Sequence, residues 1–150
     1  MIESIRIVRF TRNFKRMRSF YVEALDMRPV AEWDRGPDDK GVILVFTGRT
    51  STTSVEVLMN EAGGKQAAAN GQAGAGGFDA AGSAGAADSA GISVAIEVDN
   101  VGAQHETLVR RGVHIEQEPE NMPWGHRRFV VRDPDGLAIS FFQDMNRPEE

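Results

Sequence analysis

The 150-residue chain is predicted to be an α+β protein of two tandem βαβββ units, 1–60 and 92–145, joined by a flexible Gly/Ala-rich linker over 61–91. Three observations predict this. A β-branched segment, an amphipathic stretch and three further strand-like segments follow one another twice in the same order. Matching landmarks recur: Asn13 and Asn100, each suited to capping a helix, stand 87 positions apart, and Glu56 and Ser140, at equivalent points of the two fourth strands, stand 84 apart. Between Glu61 and Gly91 the composition changes to Gly, Ala, Ser, Asn and Gln, with Phe78 as its only large apolar residue. Such a segment cannot bury enough surface to offset the entropy of ordering it.

Ile5-Arg6-Ile7-Val8-Arg9-Phe10 reads as the first strand, bounded by Thr11-Arg12-Asn13. The Asn13 side chain can accept from the free amides of a first helical turn. Phe14, Met17, Tyr21 and Ala24/Leu25 then form one apolar stripe at offsets of 3 to 4, with Lys15, Arg16, Arg18 and Glu23 off it, which predicts a single amphipathic helix. Strands are expected from Arg28 to Trp33, Val42 to Thr47 and Ser54 to Met59, separated by Asp34–Asp39 and by Gly48–Ser51. In the second unit a strand runs from Ile92 to Val98. A helix capped by Asn100 runs from Val101 to Arg111 and is closed by Gly112. Its stripe is less clean, because Gln104 and His105 fall at positions that should be apolar. Three more strands are expected at Val113 to Gln117, Arg127 to Arg132 and Leu137 to Gln143, the last two joined by the tight turn Asp133-Pro134-Asp135-Gly136.

The length suffices for a real apolar interior without any staple. Zero cysteines exclude disulfides, thiolate metal sites and thiol redox chemistry. With no secretory leader pattern at Met1–Arg6 and no run of about 20 apolar residues, a cytoplasmic protein without a membrane span is expected. A net charge of −5 argues against nucleic acid as partner. Six basic residues between Arg6 and Arg18 read as a solvated helix face and strand ends; the sharper reading has one of these arginines meeting an anionic ligand.

Two stretches carry a family resemblance: Asn13-Phe14-Lys15-Arg16-Met17-Arg18-Ser19-Phe20-Tyr21, and Pro123-Trp124-Gly125-His126-Arg127-Arg128-Phe129 running into Asp133-Pro134-Asp135-Gly136. On tandem βαβββ units, these resemble the vicinal-oxygen-chelate superfamily of glyoxalases, bleomycin-resistance proteins and dioxygenases. The resemblance implies curved mixed sheets around a cleft, and a homodimer. Metal-using members place ligands on the first and fourth strands of both units, which here correspond to Arg6, Glu56, Ser93 and Ser140. Arginine offers no lone pair, and a serine hydroxyl is a poor ligand for a divalent ion. Neither Ile5 nor Ile7 could replace Arg6, and His105, His114 and His126 do not restore the set. Neither a metal nor any other cofactor is therefore expected.

The favoured expectation is a protein that binds a small organic ligand, an antibiotic among the candidates, in an aromatic cleft. Trp124 is the leading contact, its indole suited to a planar or cationic ligand. Alternation along the strands adds Arg6, Val8, Phe10, Glu56, Leu58, Ser93, Ser140 and Phe142. For each apolar member the plain alternative is ordinary core, and Trp33 reads as a residue at the rim. The rival class is an enzyme, a lyase, isomerase or dioxygenase, either metal-dependent or moving a proton through Glu56 or His126. A third reading makes the Gly/Ala-rich segment a surface for a protein partner. No Cys nucleophile, Gly-x-Ser-x-Gly elbow or His-Glu-x-x-His pair is present.

Overall fold

The computed structural model describes residue 1 and residues 3–48, 53–59 and 91–147. The segment read as a flexible linker lies outside the described residues, save Gly91. The chain divides into two compact units, Met1–Ala73 and Gly74–Glu150.

In the first unit β1 (Ile5–Thr11) leads to α1 (Phe14–Ser19), and β2 (Arg28–Asp34), β3 (Lys40–Val45) and β4 (Thr53–Met59) follow. Asn13 caps α1 as its sequence position predicts, with Oδ1 accepting from the Arg16 amide at 3.1 Å. The single helix expected up to Leu25 is divided, however. After Ser19 the winding widens into a π-helical turn, Phe20–Ala24, in which the Leu25 amide reaches Phe20 O at 3.1 Å. Apolar spacings of 3 to 4 fit either winding, and the wider turn keeps Tyr21, Ala24 and Leu25 all buried. Asp26 then stops the helix in a left-handed conformation, φ 56°, which short polar side chains tolerate better than most.

The second unit repeats the scheme with β5 (Ser93–Glu97), α2 (Val101–Arg110), β6 (Ile115–Asn121), β7 (His126–Arg132) and β8 (Ala138–Asp144). Asn100 Oδ1 accepts from the Ala103 amide at 2.9 Å, and Gly112 leaves the helix at φ 77°. Each unit is one mixed sheet, ordered β1-β4-β3-β2 and β5-β8-β7-β6. The first strand of each lies parallel to the fourth, and the two hairpin contacts are antiparallel. Arg6 pairs with Ser54 where Ser93 pairs with Ala138, so the register of the repeat inferred from sequence is the register of the sheets.

One face of each sheet is covered by its own helix. In the first unit Val42, Leu44, Val55 and Val57 are buried together with Met17, Tyr21 and Met27; in the second, Phe129, Val131, Ile139 and Phe141 are buried together with Val101 and Leu108. His105 takes its place in the apolar stripe of α2 by setting its ring edge against Phe129, centroids 5.4 Å apart. Its Nε2 comes within 2.8 Å of Glu118 Oε2 without the alignment of a hydrogen bond.

Two expected strands shift. β3 begins at Lys40, not Val42, because the turn after Asp34 closes early: the Arg35 amide donates to Asp39 O at 2.9 Å, and Lys40 pairs with Asp34 across the hairpin. β6 spans Ile115–Asn121 rather than Val113–Gln117. It runs through Pro119 because it is an edge strand with register shifts on either side of Gln117, a setting in which a residue without an N–H is tolerated. The turn at Asp133 is as expected, with Asp133 Oδ1 accepting from the Asp135 and Leu137 amides, each at 3.0 Å, and Gly136 at φ 97°. Among the described residues no helix is long and apolar enough to cross a membrane.

Candidate functional site

Strand alternation decides which side chains share the face that, among the described residues, carries no helix. In the first unit Val55 and Val57 are buried under the helix, so Ser54, Glu56 and Leu58 take the other side of β4. β1 sets Arg6, Val8 and Phe10 beside them, opposite Ser54, Glu56 and Leu58 respectively. β3 extends the same rows with Val45, Ile43 and Gly41, and β2 brings Trp33 opposite Gly41. A Cβ on Gly41 would overlap the Trp33 ring at Cζ2, so the indole rests directly on the glycine. Trp33 Nε1 donates to Asp39 Oδ1 at 3.2 Å, which fixes the ring. The face is thus charged at one end and aromatic at the other.

At the charged end Arg6 Nη1 stands 3.3 Å from Glu56 Oε2, and Arg6 Nε donates to Ser54 Oγ at 3.2 Å. The Glu56 side chain is only 16% exposed, whereas that of Arg6 is 48% exposed. At the apolar end Val8 and Phe10 are 39% and 36% exposed, so neither is a core residue of its unit.

In the second unit Phe129, Val131, Ile139 and Phe141 are buried, which leaves Arg128, Val130 and Arg132 of β7 and Ala138, Ser140 and Phe142 of β8 on the helix-free face. Ser93, Ala95 and Glu97 of β5 stand opposite Ala138, Ser140 and Phe142. The His126 ring is stacked on Phe142, centroids 4.7 Å apart and 15° from parallel. Before His126 the chain turns at Met122–Gly125, the Gly125 amide donating to Met122 O at 3.1 Å. Gly125 has φ 90°, and a Cβ there would overlap the Asn146 side-chain amide, so both the conformation and the close packing require glycine. The turn holds Trp124 56% exposed, with the guanidinium carbon of Arg128 5.6 Å from its ring.

The model of the glyoxalase/bleomycin resistance protein/dioxygenase superfamily matches residues 5–141. The chain belongs to this superfamily. Solved structures share the fold of this superfamily member across nearly its whole length. An antibiotic binding protein, TnmS3, from a Streptomyces species is 20% identical with a TM-score of 0.64, covering 96% of this chain and 97% of that one. A superfamily member from Sphaerobacter thermophilus is 19% identical with a TM-score of 0.63, covering 95% and 98%. A glyoxalase/bleomycin resistance protein from a Streptomyces species is 20% identical with a TM-score of 0.59, covering 92% and 97%. No curated protein matches the sequence.

The donor set at the superfamily's metal positions does not suit a divalent ion in this member. Arg6 and Glu56 are brought together as a cation and an anion, and Ser93 and Ser140 offer only hydroxyls. Among the described residues no three His, Cys, Asp or Glu side chains gather in a metal-binding group. His105 is occupied against Phe129, His114 is exposed between α2 and β6, and His126 lies flat on Phe142.

All nine ligand contacts expected from sequence fall on a helix-free face or on the turn beside it. Arg6, Val8, Phe10, Glu56 and Leu58 belong to the first unit, and Ser93, Ser140, Phe142 and Trp124 to the second. Two further residues share these faces. Trp33, read as a rim residue, stands on the edge strand β2 and lies over Gly41, which makes room for its ring; a glycine inside a strand signals such a close approach. Arg128 alternates with buried Phe129 and so shares the face with Phe142, which the same alternation rule could have found.

Proposed function

We propose that this superfamily member binds a small organic ligand, with an antibiotic among the candidates, on the helix-free faces of its sheets and without a metal. The observation that carries the reading is the Arg6–Glu56 pair. Of the four positions where the superfamily's metal ligands stand, only Glu56 has an anionic donor, and a cation from its own sheet already engages it, while Val8 and Phe10 beside the pair stay exposed. A surface that neutralises its own carboxylate and displays apolar groups around it suits sequestration of an organic molecule better than activation of water. The antibiotic binding protein that shares the fold supports the ligand class.

The test is a thermal-shift screen of organic ligands, antibiotics included, on protein dialysed against chelator, with elemental analysis of the same sample. Ligands that raise the melting temperature in the chelated protein are expected, because binding to the native state stabilises it by mass action. One Zn, Fe, Mn or Ni per chain surviving dialysis and lost on Glu56→Ala, with ligand stabilisation only in the loaded form, overturns the reading.

A further inference from the structure

We infer that the ligand met by the helix-free face of the second unit is an aromatic anion, whose negative group pairs with Arg128; this rests on the small-molecule reading above. β7 carries two arginines on that face, and they are held differently. Arg132 donates to both carboxylate oxygens of Glu116 on β6, the Nη2 contact measuring 2.9 Å, and its Nη1 donates to Gly136 O at 2.8 Å. Arg128 lies in the same row of β7, on the far side of Val130 from Arg132 and opposite Phe142. Among the described residues no acid pairs with it, and its Nε is shut off from water with no acceptor.

Of the neighbouring carboxylates, one is used elsewhere and the other makes no ion pair with it. Glu97, in the same row beyond Phe142, pairs with Arg147 at 2.9 Å. Glu120 is the cross-strand partner of Arg128, but it follows the register shift after Gln117 and is exposed, without an ion pair to Arg128. What Arg128 has instead is aromatic: the Trp124 ring 5.6 Å away and, opposite on β8, Phe142 with His126 stacked on it. Cation–π attraction offsets only part of the desolvation of a half-buried guanidinium.

A carboxylate, sulfonate or phenolate carried on a flat ring supplies what is missing. The anion accepts charge-assisted hydrogen bonds from the guanidinium while the ring packs against Trp124 and Phe142. A neutral ring leaves the cation unanswered, and a cationic one is repelled. The Trp124 face that the sequence alone suited to a planar or cationic ligand therefore favours a planar anion, since a cation of the protein already lies over it.

The probes are 8-anilinonaphthalene-1-sulfonate and its uncharged counterpart N-phenyl-1-naphthylamine, titrated by fluorescence against the full chain. The sulfonate is expected to bind about ten-fold more tightly than the neutral dye, the scale of one hydrogen bond to a charged group. Arg128→Gln is expected to remove that difference while neutral-dye affinity changes less than about two-fold, which also shows the variant is folded; Arg128→Lys is expected to keep part of the difference. Saturable binding of both dyes with no preference, or a preference indifferent to Arg128→Gln, overturns the anion inference and leaves the small-molecule reading standing. Saturable binding of neither overturns both.

Discussion

Replacing Trp124 with alanine separates a ligand-contacting residue from a core residue by the size of two effects. Trp124 is 56% exposed, so truncation removes little buried area. What the unliganded protein loses is the contact with Arg128, about 0.5–1 kcal/mol for a cation–π pair at an exposed site. For a chain of this length 1 kcal/mol corresponds to roughly 2–4 °C in melting temperature, so Trp124→Ala is expected to lower it by no more than about 4 °C. Ligand binding should suffer more. Aromatic stacking contributes on the order of 0.5–1.5 kcal/mol beyond area burial, or roughly a 2- to 13-fold loss of affinity before the lost area is counted. Phe129→Ala is the contrasting control, because Phe129 is fully buried and lies 5.1 Å from the Phe141 ring and 5.4 Å from His105. It is expected to cost about 3–5 kcal/mol. Urea denaturation gives the stabilities, and titration with the sulfonate dye gives the affinities. A Trp124→Ala variant destabilised by about 3 kcal/mol or more, or one that binds the dye as tightly as the parent, would refute the assignment.

Two further substitutions probe how the faces are built. Gly41→Ala puts a methyl group where the Trp33 ring lies, so the indole must swing away and lose its hydrogen bond to Asp39; in a Trp124→Phe background the emission of Trp33 should shift to the red and stability should fall by about 1–3 kcal/mol. Unchanged emission and an unchanged urea midpoint would show that Trp33 does not rest on Gly41. Asp133→Ala leaves the amides of Asp135 and Leu137 without their acceptor at a buried turn, with an expected loss of about 2–4 kcal/mol in the same denaturation assay. A loss under about 0.5 kcal/mol would mean that water satisfies those amides and that the turn does not depend on Asp133.

The repeat was legible because its markers act locally. An asparagine one residue before an apolar stripe can do little other than cap it, and both Asn13 and Asn100 do so. Asp-Pro-Asp-Gly folds through its own side chain and its own glycine. The π-helical turn at Phe20–Ala24 was not legible, since a stripe spaced by 3 to 4 residues serves an α-turn and a π-turn alike, and only packing against the sheet selects the wider one. β6 was misplaced for a different reason. Its residues, Ile115-Glu116-Gln117-Glu118-Pro119-Glu120-Asn121, carry no apolar alternation, because an edge strand with two register shifts has no continuous buried face to impose one.

The candidate site divides along the same line. Alternation on β1, β4 and β8 placed Arg6, Glu56 and Phe142 on the helix-free faces, because each strand has a fully committed apolar side whose opposite is then known. Trp33 and Arg128 depend instead on what a neighbouring strand lacks. Trp33 can lie flat only because the residue opposite it on β3 has no side chain, and Arg128 has no acidic partner among the described residues although its cross-strand partner is a glutamate. A cross-strand Arg/Glu pair read from sequence would be taken as an ion pair and dismissed as solvated surface. In this register Glu116 serves Arg132, and Glu120, although it stands opposite Arg128, forms no ion pair with it. The same irregular edge that hid β6 in the sequence thus borders a cation that, among the described residues, has no acidic partner on the face next to Trp124, and the proposed recognition of an anion rests on that cation rather than on the regular strands that support it.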